Sequence, residues 1–526
     1  MPMSRTHPDA KPKRSRARPR RAIALVLSLA VMLAGPAWPQ VRLPSLGESA
    51  SDEVSVSAER RLGEQIMREA RRDPDYLDDP VLLEYLQSVW NPLVHAAREL
   101  GNITPDIDAN FPFEAFLVRD RTVNAFALPG GYVGVNLGLI NLTASADELA
   151  SVLGHELSHV TQRHIARSIG VGQRQSLLAL AGLIIGVLAA RSNPDAAQAA
   201  IMSGQAAAAQ GQLAFSRDVE READRVGFSV LSEAGYSPAG MAHMFEKLDY
   251  ANRLNDSGAY PYLRTHPLTS ERIAWAQARL GTALQRQPAI MRPEHALMQA
   301  RARVLMETTV QARQRLQDLD TALASPKDDR LAALYASVLA SVTLRSFPRA
   351  AAAYAEGERL VATGSQDPRR VREWALLGVE MAVAQGDSAT AERRLAALPA
   401  DGSRPRLLLE SQAALLSTDA ALLKRRCESL QSWTSDHRVD ALAWSELSSC
   451  AERQGQTLRA VRAQAEARAA LGDWAGAIDR LHAGQRLARS GGAQDFIEAS
   501  VIDARLREIE AQRRALMDDT RGKGPQ

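Results

Sequence analysis

The sequence predicts a mostly α protein, in which an α+β domain with one small sheet is followed by an α-solenoid. Three observations carry this expectation. Alanine, leucine and arginine dominate while aromatic residues make up 5% of the 526 residues, a composition that favours helix almost throughout. Strand patterning is concentrated in one stretch, from Phe113 to Val135. In the second half, Trp-led helical segments recur with glycine turns between them, as stacked helix pairs require. A chain of this length suits two domains behind a leader, divided as 1–37, 58–284 and 290–520.

The leader comes first. Residues 1–21 hold eight basic side chains and one acid, Asp9, and Ala22 to Ala34 is almost wholly apolar before Gly35-Pro36-Ala37. That succession of basic, apolar and small residues is a secretory signal, with an apolar core too short for an ordinary membrane span. It predicts export. It also changes the meaning of the charge: the full chain carries +3 and the leader +7, leaving the remainder near −4. The basic pI of about 8.9 therefore reflects a removable segment and does not point to nucleic acid.

The small sheet is expected next. Phe113–Arg119 and Val123–Ala127 are apolar and aromatic runs, and Tyr132–Val135 follows a Pro129-Gly130-Gly131 turn. A strand edge can bind an extended peptide by backbone pairing. Asn124, Ala125 and Phe126 are the candidates for that edge, although simple sheet packing accounts for each of them equally well.

Ser145-Ala146-Asp147-Glu148 then reads as a capping box, with Ser145 as N-cap and Glu148 reaching back from N3. Leu149, Val152, Leu153 and Val160 continue an apolar stripe at helical spacing. On that helix, Gly154-His155-Glu156-Leu157-Ser158-His159 sets two imidazoles at i and i+4, on one face, where both can hold one metal ion. Glu156 sits beside them, placed to take a proton from a water that the metal activates. This is the HExxH arrangement of zinc peptidases and implies one zinc ion per chain. His164 lies about 500° further round the helix than His159, so it is expected at the surface or supporting a ligand.

Such a site needs a third protein ligand. Phe215–Asp224 is an acidic helix start followed by the apolar Val226, Phe228, Val230 and Leu231. Glu220 and Asp224 share a face at i and i+4, while Glu222 is turned about 200° from Glu220. The functional reading makes Glu220 the third ligand and gives Asp224 the free N–H of a ligand histidine. Taken alone, these residues would read as a solvated, i,i+4-paired charged face. The HExxH helix upstream tips the balance. Between the two helices, Leu177–Ala190 is the most hydrophobic run after the leader. At fourteen residues it is short for a membrane span, and a buried hairpin, a mobile lid and a peripheral membrane contact all fit it.

In the second half, Trp374-Ala375-Leu376-Leu377-Gly378 and Trp444-Ser445-Glu446-Leu447 match the first-helix signature of tetratricopeptide repeats, and Ala460 follows Trp444 at the second-helix spacing. Turns at Arg345–Pro348, Gln385-Gly386-Asp387, Gln454-Gly455 and Leu471-Gly472-Asp473 mark helix ends. About four degenerate helix pairs are expected, presenting a concave surface to partners. The chain has two cysteines, Cys427 and Cys450, and in an exported protein a pair suggests a disulfide. With the turn placed at Trp433–Arg438, the two are offset by roughly 9 Å along the helix axes, which leaves the bond open.

Taken together, His155-Glu156-Leu157-Ser158-His159 and Glu220-Arg221-Glu222-Ala223-Asp224 resemble the signature of the metallopeptidases that include the HtpX heat-shock protease and the CAAX prenyl proteases, with a zincin-type domain. Asn124–Gly131 and Arg264-Thr265-His266-Pro267 are similar to a soluble periplasmic branch of that family, the β-barrel assembly-enhancing proteases with C-terminal tetratricopeptide repeats. The resemblance runs from about Ala58 to the C-terminus, specific across Asn124–Asp224 and weak beyond Ile290. It implies zinc on His155, His159 and Glu220, Glu156 as general base and an accessory role for Asp224. It also implies that His266 can take the fourth metal position and hold the enzyme latent, where the residues alone suggest a loop histidine stiffened by Pro267. The implied substrates are unfolded or misassembled outer-membrane proteins, and the implied partners the β-barrel assembly machinery and the lipopolysaccharide-transport barrel. The alternative is a repeat-based chaperone or adaptor whose protease site is normally shut.

Overall fold

The computed structural model describes residues 54–168, 217–254, 260–283, 292–321, 327–364, 367–489 and 496–520. The leader and the apolar run Leu177–Ala190 lie outside the described residues. The first half comprises α1 (Val56–Ala70), β1 (Tyr76–Leu77), α2 (Pro80–Glu99), α3 (Pro105–Asn110), β2 (Glu114–Val118), β3 (Ala125–Leu128) and β4 (Tyr132–Asn136). There follow α4 (Leu137–Leu142), α5 (Ala146–Thr161), α6 (His164–Ser168), α7 (Arg217–Glu233), α8 (Ala239–Leu254), α9 (Tyr262–Thr265) and α10 (Ser270–Ala283).

The strands form one sheet in the order β1-β2-β4-β3, with β2 and β4 parallel and the outer pairs antiparallel. Three of the four strands fall where the apolar runs place them. β1, with two residues, is too short to show an alternating pattern. Side chains alternate across the sheet: Ala115, Leu117, Val133 and Val135 join the main apolar core, while Phe116, Leu128 and Tyr132 pack against Leu62, Ile66 and Met67 of α1.

Helix α5 runs through the middle of that core, and every residue from Ala146 to Thr161 except Asp147 is buried. Its N-terminus is capped as expected from Ser145, whose hydroxyl accepts from the Glu148 N–H at 3.3 Å. Glu148 reaches back one residue further than the standard box, accepting from the Ala144 N–H at 2.7 Å and from Lys247 of α8 at 2.6 Å. Helix α7 crosses α5 at a pair of glycines. A Cβ on Gly227 would stand 3.1 Å from the Gly154 carbonyl oxygen and from the His155 nitrogen. The two helices meet here so closely that even a Cβ would be tight, and this brings their polar residues within reach of each other.

The second half is a succession of helices: α11 (His295–Leu305), α12 (Val310–Gln317), α13 (Lys327–Thr343), α14 (Phe347–Thr363), α15 (Pro368–Gln385), α16 (Ser388–Ala397), α17 (Arg404–Leu416), α18 (Ala420–Asp436), α19 (Ala441–Arg453), α20 (Thr457–Ala470), α21 (Trp474–Ala488) and α22 (Phe496–Thr520). From α12 onward each packs on the next. Gly386, Gly455 and Gly472 take the left-handed conformation at the turns read from the sequence. Trp374 is buried between Tyr354, stacked at 5.2 Å, and Tyr335 at 6.1 Å. Gly357 makes room for its ring, since a Cβ there would lie 2.1 Å from the indole.

Cys427 and Cys450 are paired, with Cα atoms 5.8 Å apart. The expected axial offset disappears because the turn lies later than the sequence suggested. Helix α18 continues to Asp436 and α19 begins at Ala441, so Cys427 lies nine residues before one end and Cys450 nine after the other.

The helices of the second half are fastened to the first by arginines around the start of α2. Arg301 binds Asp79 at 2.7 and 2.8 Å, Glu380 at 2.8 and 3.0 Å and the Tyr335 hydroxyl at 3.1 Å. Asp79 is itself the N-cap of α2. Arg372 reaches Glu84 at 2.7 Å, Arg404 reaches Asp78 at 2.6 Å, and Arg68 lies over the Trp474 ring at 5.3 Å. One apolar cluster continues from Val56 to Ala413 across both halves. Among the described residues no helix is long and apolar enough to cross a membrane.

The crossing of α5 and α7 predicts the behaviour of Gly227→Val. Branched methyl groups at a position already tight for a Cβ should force the helices apart and cost about 1–3 kcal/mol, measured as a drop in unfolding free energy in denaturant titrations.

Candidate metal centre

His155 and His159 project from the same face of α5, and their Nε2 atoms lie 3.0 Å apart. Glu220 enters from the first turns of α7, its Oε2 at 3.5 Å from His155 Nε2 and its Oε1 at 3.6 Å from His159 Nε2. His266, directly after α9, completes the group: one donor atom from each of the four lies within 4.8 Å of every other, and all four residues are buried. Two imidazoles, a carboxylate and a third imidazole converging in a buried space are the donor set that zinc prefers. The residues fit the ion that the HExxH spacing implies.

A second layer holds these donors in place. His155 Nδ1 lies 3.0 Å from Asp224 Oδ1. His159 Nδ1 lies 2.9 Å from His164 Nδ1, and His164 Nε2 lies 3.1 Å from Glu222, which also takes Arg167 at 3.1 Å. With Nε2 of His159 turned to the cluster, the network assigns its hydrogen to Nδ1, donated to His164, which in turn donates from Nε2 to Glu222. His164 therefore supports a ligand from behind, and Glu222, turned away from Glu220 as the helix phase required, anchors it. Arg272 of α10 binds Asp224 through two bonds of 2.6 and 2.8 Å and reaches Glu220 at 2.7 Å.

Burial and these pairings set the protonation states. Burial depresses His159 well below its ordinary range, with the charge of His155 adding to it, and holds His266 down at about 3. Both are neutral. Burial opposes the ionisation of Glu220 and Asp224, yet hydrogen bonds from His155, together with Arg272, keep both carboxylates below their usual values. Burial alone would lower His155 as well; its bonds to Asp224 and Glu220 raise it to about 9. Glu156 is pushed up to about 8 by burial, against the opposing effect of His155 and with the charge of Glu220 adding to it.

Glu156 is oriented by the sheet. Its Oε2 accepts from the Ala127 N–H at 3.0 Å, and its Oε1 lies 3.6 Å from His266 Nε2. Among the described residues β3 is the end strand of the sheet. Asn124 accepts from the Asn136 N–H, and β3 runs antiparallel to β4, so Asn124, Phe126 and Leu128 spend their backbone bonds on β4. Ala125 and Ala127 point theirs the other way. Of the three edge candidates, Ala125 alone presents its backbone outward, and Ala127 joins it. Phe126 instead lays its ring over Gly134 and against Phe116.

All of the residues singled out for chemistry (His155, Glu156, His159, Glu220, Asp224 and His266) meet here. Sequence reasoning missed Arg272 and the ligand-supporting place of Glu222. A signal for Arg272 was present: a cation in the first turn of a helix opposes the helix dipole and suggests carboxylate partners elsewhere.

A sheet whose end strand lies beside an HExxH helix, with a glutamate supplied by a later helix, defines a metallopeptidase domain. Residues 95–280 match the sequence model of Peptidase family M48, and the chain carries an M48 peptidase domain. The chain is similar to the beta-barrel assembly-enhancing protease of Escherichia coli K12, 35% identical over 263 residues, or 50% of this chain and 51% of that one. The beta-barrel assembly-enhancing protease of Yersinia pestis is 35% identical over 237 residues, 45% and 47% of the two chains. The mitochondrial metalloendopeptidase OMA1 of Saccharomyces cerevisiae is 28% identical over 193 residues, 36% and 53%. The chain spans about half the length of the beta-barrel assembly-enhancing proteases it matches.

The support that His164 gives His159 predicts a measurable loss in His164→Phe. Removing the partner of Nδ1 should weaken zinc binding by about 10–100-fold, read by competition against a chromophoric chelator.

Proposed function

We propose that this protein is a periplasmic zinc metalloendopeptidase that degrades misassembled outer-membrane β-barrel proteins and assists their assembly. The observation that carries the enzymatic reading is the convergence of His155, His159, Glu220 and His266 within 4.8 Å beside the oriented carboxylate of Glu156. In this reading His155, His159 and Glu220 hold the zinc ion, and Asp224 orients His155. Bound zinc supplies Lewis acidity, lowering the pKa of a water and polarising the scissile carbonyl. Glu156 takes a proton from the attacking water and passes it to the departing amine as the C–N bond breaks. An extended substrate pairs with the outward backbone of Ala125, which sets its carbonyl beside Glu156.

His266 gives this site a shut state. In the arrangement described, it stands in the cluster and occupies the approach to Glu156. We read 58–284 as the peptidase and 290–520 as a tetratricopeptide-like array that selects partners, with the β-barrel assembly machinery and the lipopolysaccharide-transport barrel as candidates. The names of the bacterial relatives support a link to β-barrel assembly. Export is supported by the basic and apolar leader and by the Cys427–Cys450 disulfide, which suits an oxidising compartment. The position of His266 also favours a second reading, in which the repeats act as an assembly chaperone while the protease stays closed.

Two substitutions test these readings. Glu156→Gln should retain zinc while cleavage of a casein-type substrate falls by about 10²–10⁴-fold; if barrel assembly in cells is then unimpaired, the chaperone reading holds the main function. His266→Ala should raise the cleavage rate, and unchanged or lower cleavage with zinc retained would remove the latch.

A further inference from the structure

Arg272 has no place in the HExxH chemistry, yet its side chain is bonded to several parts of the cluster at once. It is 3% exposed. Its Nε donates to Asp224 Oδ2 at 2.6 Å and its Nη2 to Asp224 Oδ1 at 2.8 Å. Its Nη1 lies 2.7 Å from Glu220 Oε2 and donates to the Pro267 carbonyl oxygen at 2.9 Å. The Phe245 ring lies 5.1 Å from the guanidinium carbon. One planar group thus touches the candidate third ligand, the carboxylate that orients His155, and the carbonyl of the residue following His266. Two polypeptide segments otherwise separate in the chain, α7 and the His266 loop, are pinned to one rigid fork.

We infer that Arg272 is a positioning residue that fixes Glu220 and Asp224 for metal binding and ties the His266 segment to them. The inference rests on the metal-site reading above. Its chemistry follows from the fork. A guanidinium can make two parallel bonds to one carboxylate and still offer Nη1 to two further acceptors, which an ammonium cannot do in one plane. By holding Oε2 of Glu220, it leaves Oε1 facing His159 Nε2. Because the same nitrogen holds Pro267, displacement of His266 pulls on the group that orients the other donors. Charge alone predicts the opposite outcome, since a cation beside the site repels a metal ion and its removal would tighten binding.

The test is zinc affinity, measured by chelator competition on the metal-stripped full-length protein, with circular dichroism to verify folding. Arg272→Lys keeps the charge and loses the fork; it is expected to bind zinc at least about tenfold more weakly than wild type, and Arg272→Gln likewise. Binding by R272K within twofold of wild type, or tighter binding by R272Q, would overturn the positioning role. The tie to His266 is read from a double-mutant cycle: the factor by which His266→Ala changes zinc affinity should differ at least about threefold between the wild-type and R272K backgrounds. Equal factors would overturn the tie. Failure of the wild-type protein to bind zinc would instead overturn the metal-site reading itself, an outcome these comparisons keep separate.

Discussion

Several titratable side chains sit in the middle of an apolar core, and their mutual dependence is the constraint on which the rest of this domain depends. His155, Glu156, His159, Glu220, Asp224 and Arg272 are each 3% exposed or less, surrounded by the leucines and valines of α2, α5 and α7. An isolated buried charge costs several kcal/mol, so none of these groups can be placed without its neighbours. Asp224 is tolerated because Arg272 and His155 flank it, and Glu156 because the Ala127 N–H meets it. With a divalent cation bound, the charges of Arg272 and the ion equal those of ionised Glu156, Glu220 and Asp224. The glycine crossing of α5 and α7 is the geometric counterpart, since these pairings exist only if the two backbones approach this closely.

The same principle explains how the helical second half is joined to the peptidase. Arg301 is buried and bonded to Asp79, Glu380 and Tyr335. Its partner Asp79 caps α2, the helix whose other residues pack beneath β2 and against α5. A buried pair of this kind adds less to stability than an apolar contact would, because desolvation consumes much of the attraction. What it does contribute is register: a shift of the helix array along α2 would strand Arg301, Arg372 and Arg404 without their carboxylates at once. The continuous apolar cluster supplies the adhesion, and the arginines fix where it acts.

Much of the site was legible in the sequence because it depends on helix phase. The i,i+4 spacings of His155 with His159 and of Glu220 with Asp224 are local facts, and the capping box at Ser145 locates the helix that carries the first pair. What was not legible depends on contacts between segments far apart in the chain. Arg272 bonds a helix 48 residues away, and nothing local in its sequence names that partner. The strand edge was legible only to within a residue: alternation decides whether Ala125 or its neighbours face outward, and the register against β4 sets that phase. The disulfide was left open for a related reason. Its geometry turns on where α18 stops, and helix ends are less well determined by sequence than helix existence.

On the proposed reading, in which His266 shuts the centre, that closure determines what an activator has to be. His266 is held by its place among the metal donors, by stacking on Tyr262 at 4.5 Å and by the hydrogen bond of Arg272 to Pro267. A partner that bound the shut and open forms equally would change nothing, however tightly it bound. Only a ligand with a contact available exclusively when His266 has left can open the site. On that reading the outward backbone of Ala125 beside Glu156 would be such a contact for an extended polypeptide, whereas a folded barrel, its strands already paired, has no free backbone to offer. On the same reading, discrimination between unfinished and finished proteins arises at the centre itself, before any choice of sequence, and the helical array would add to it by holding an unfinished chain nearby.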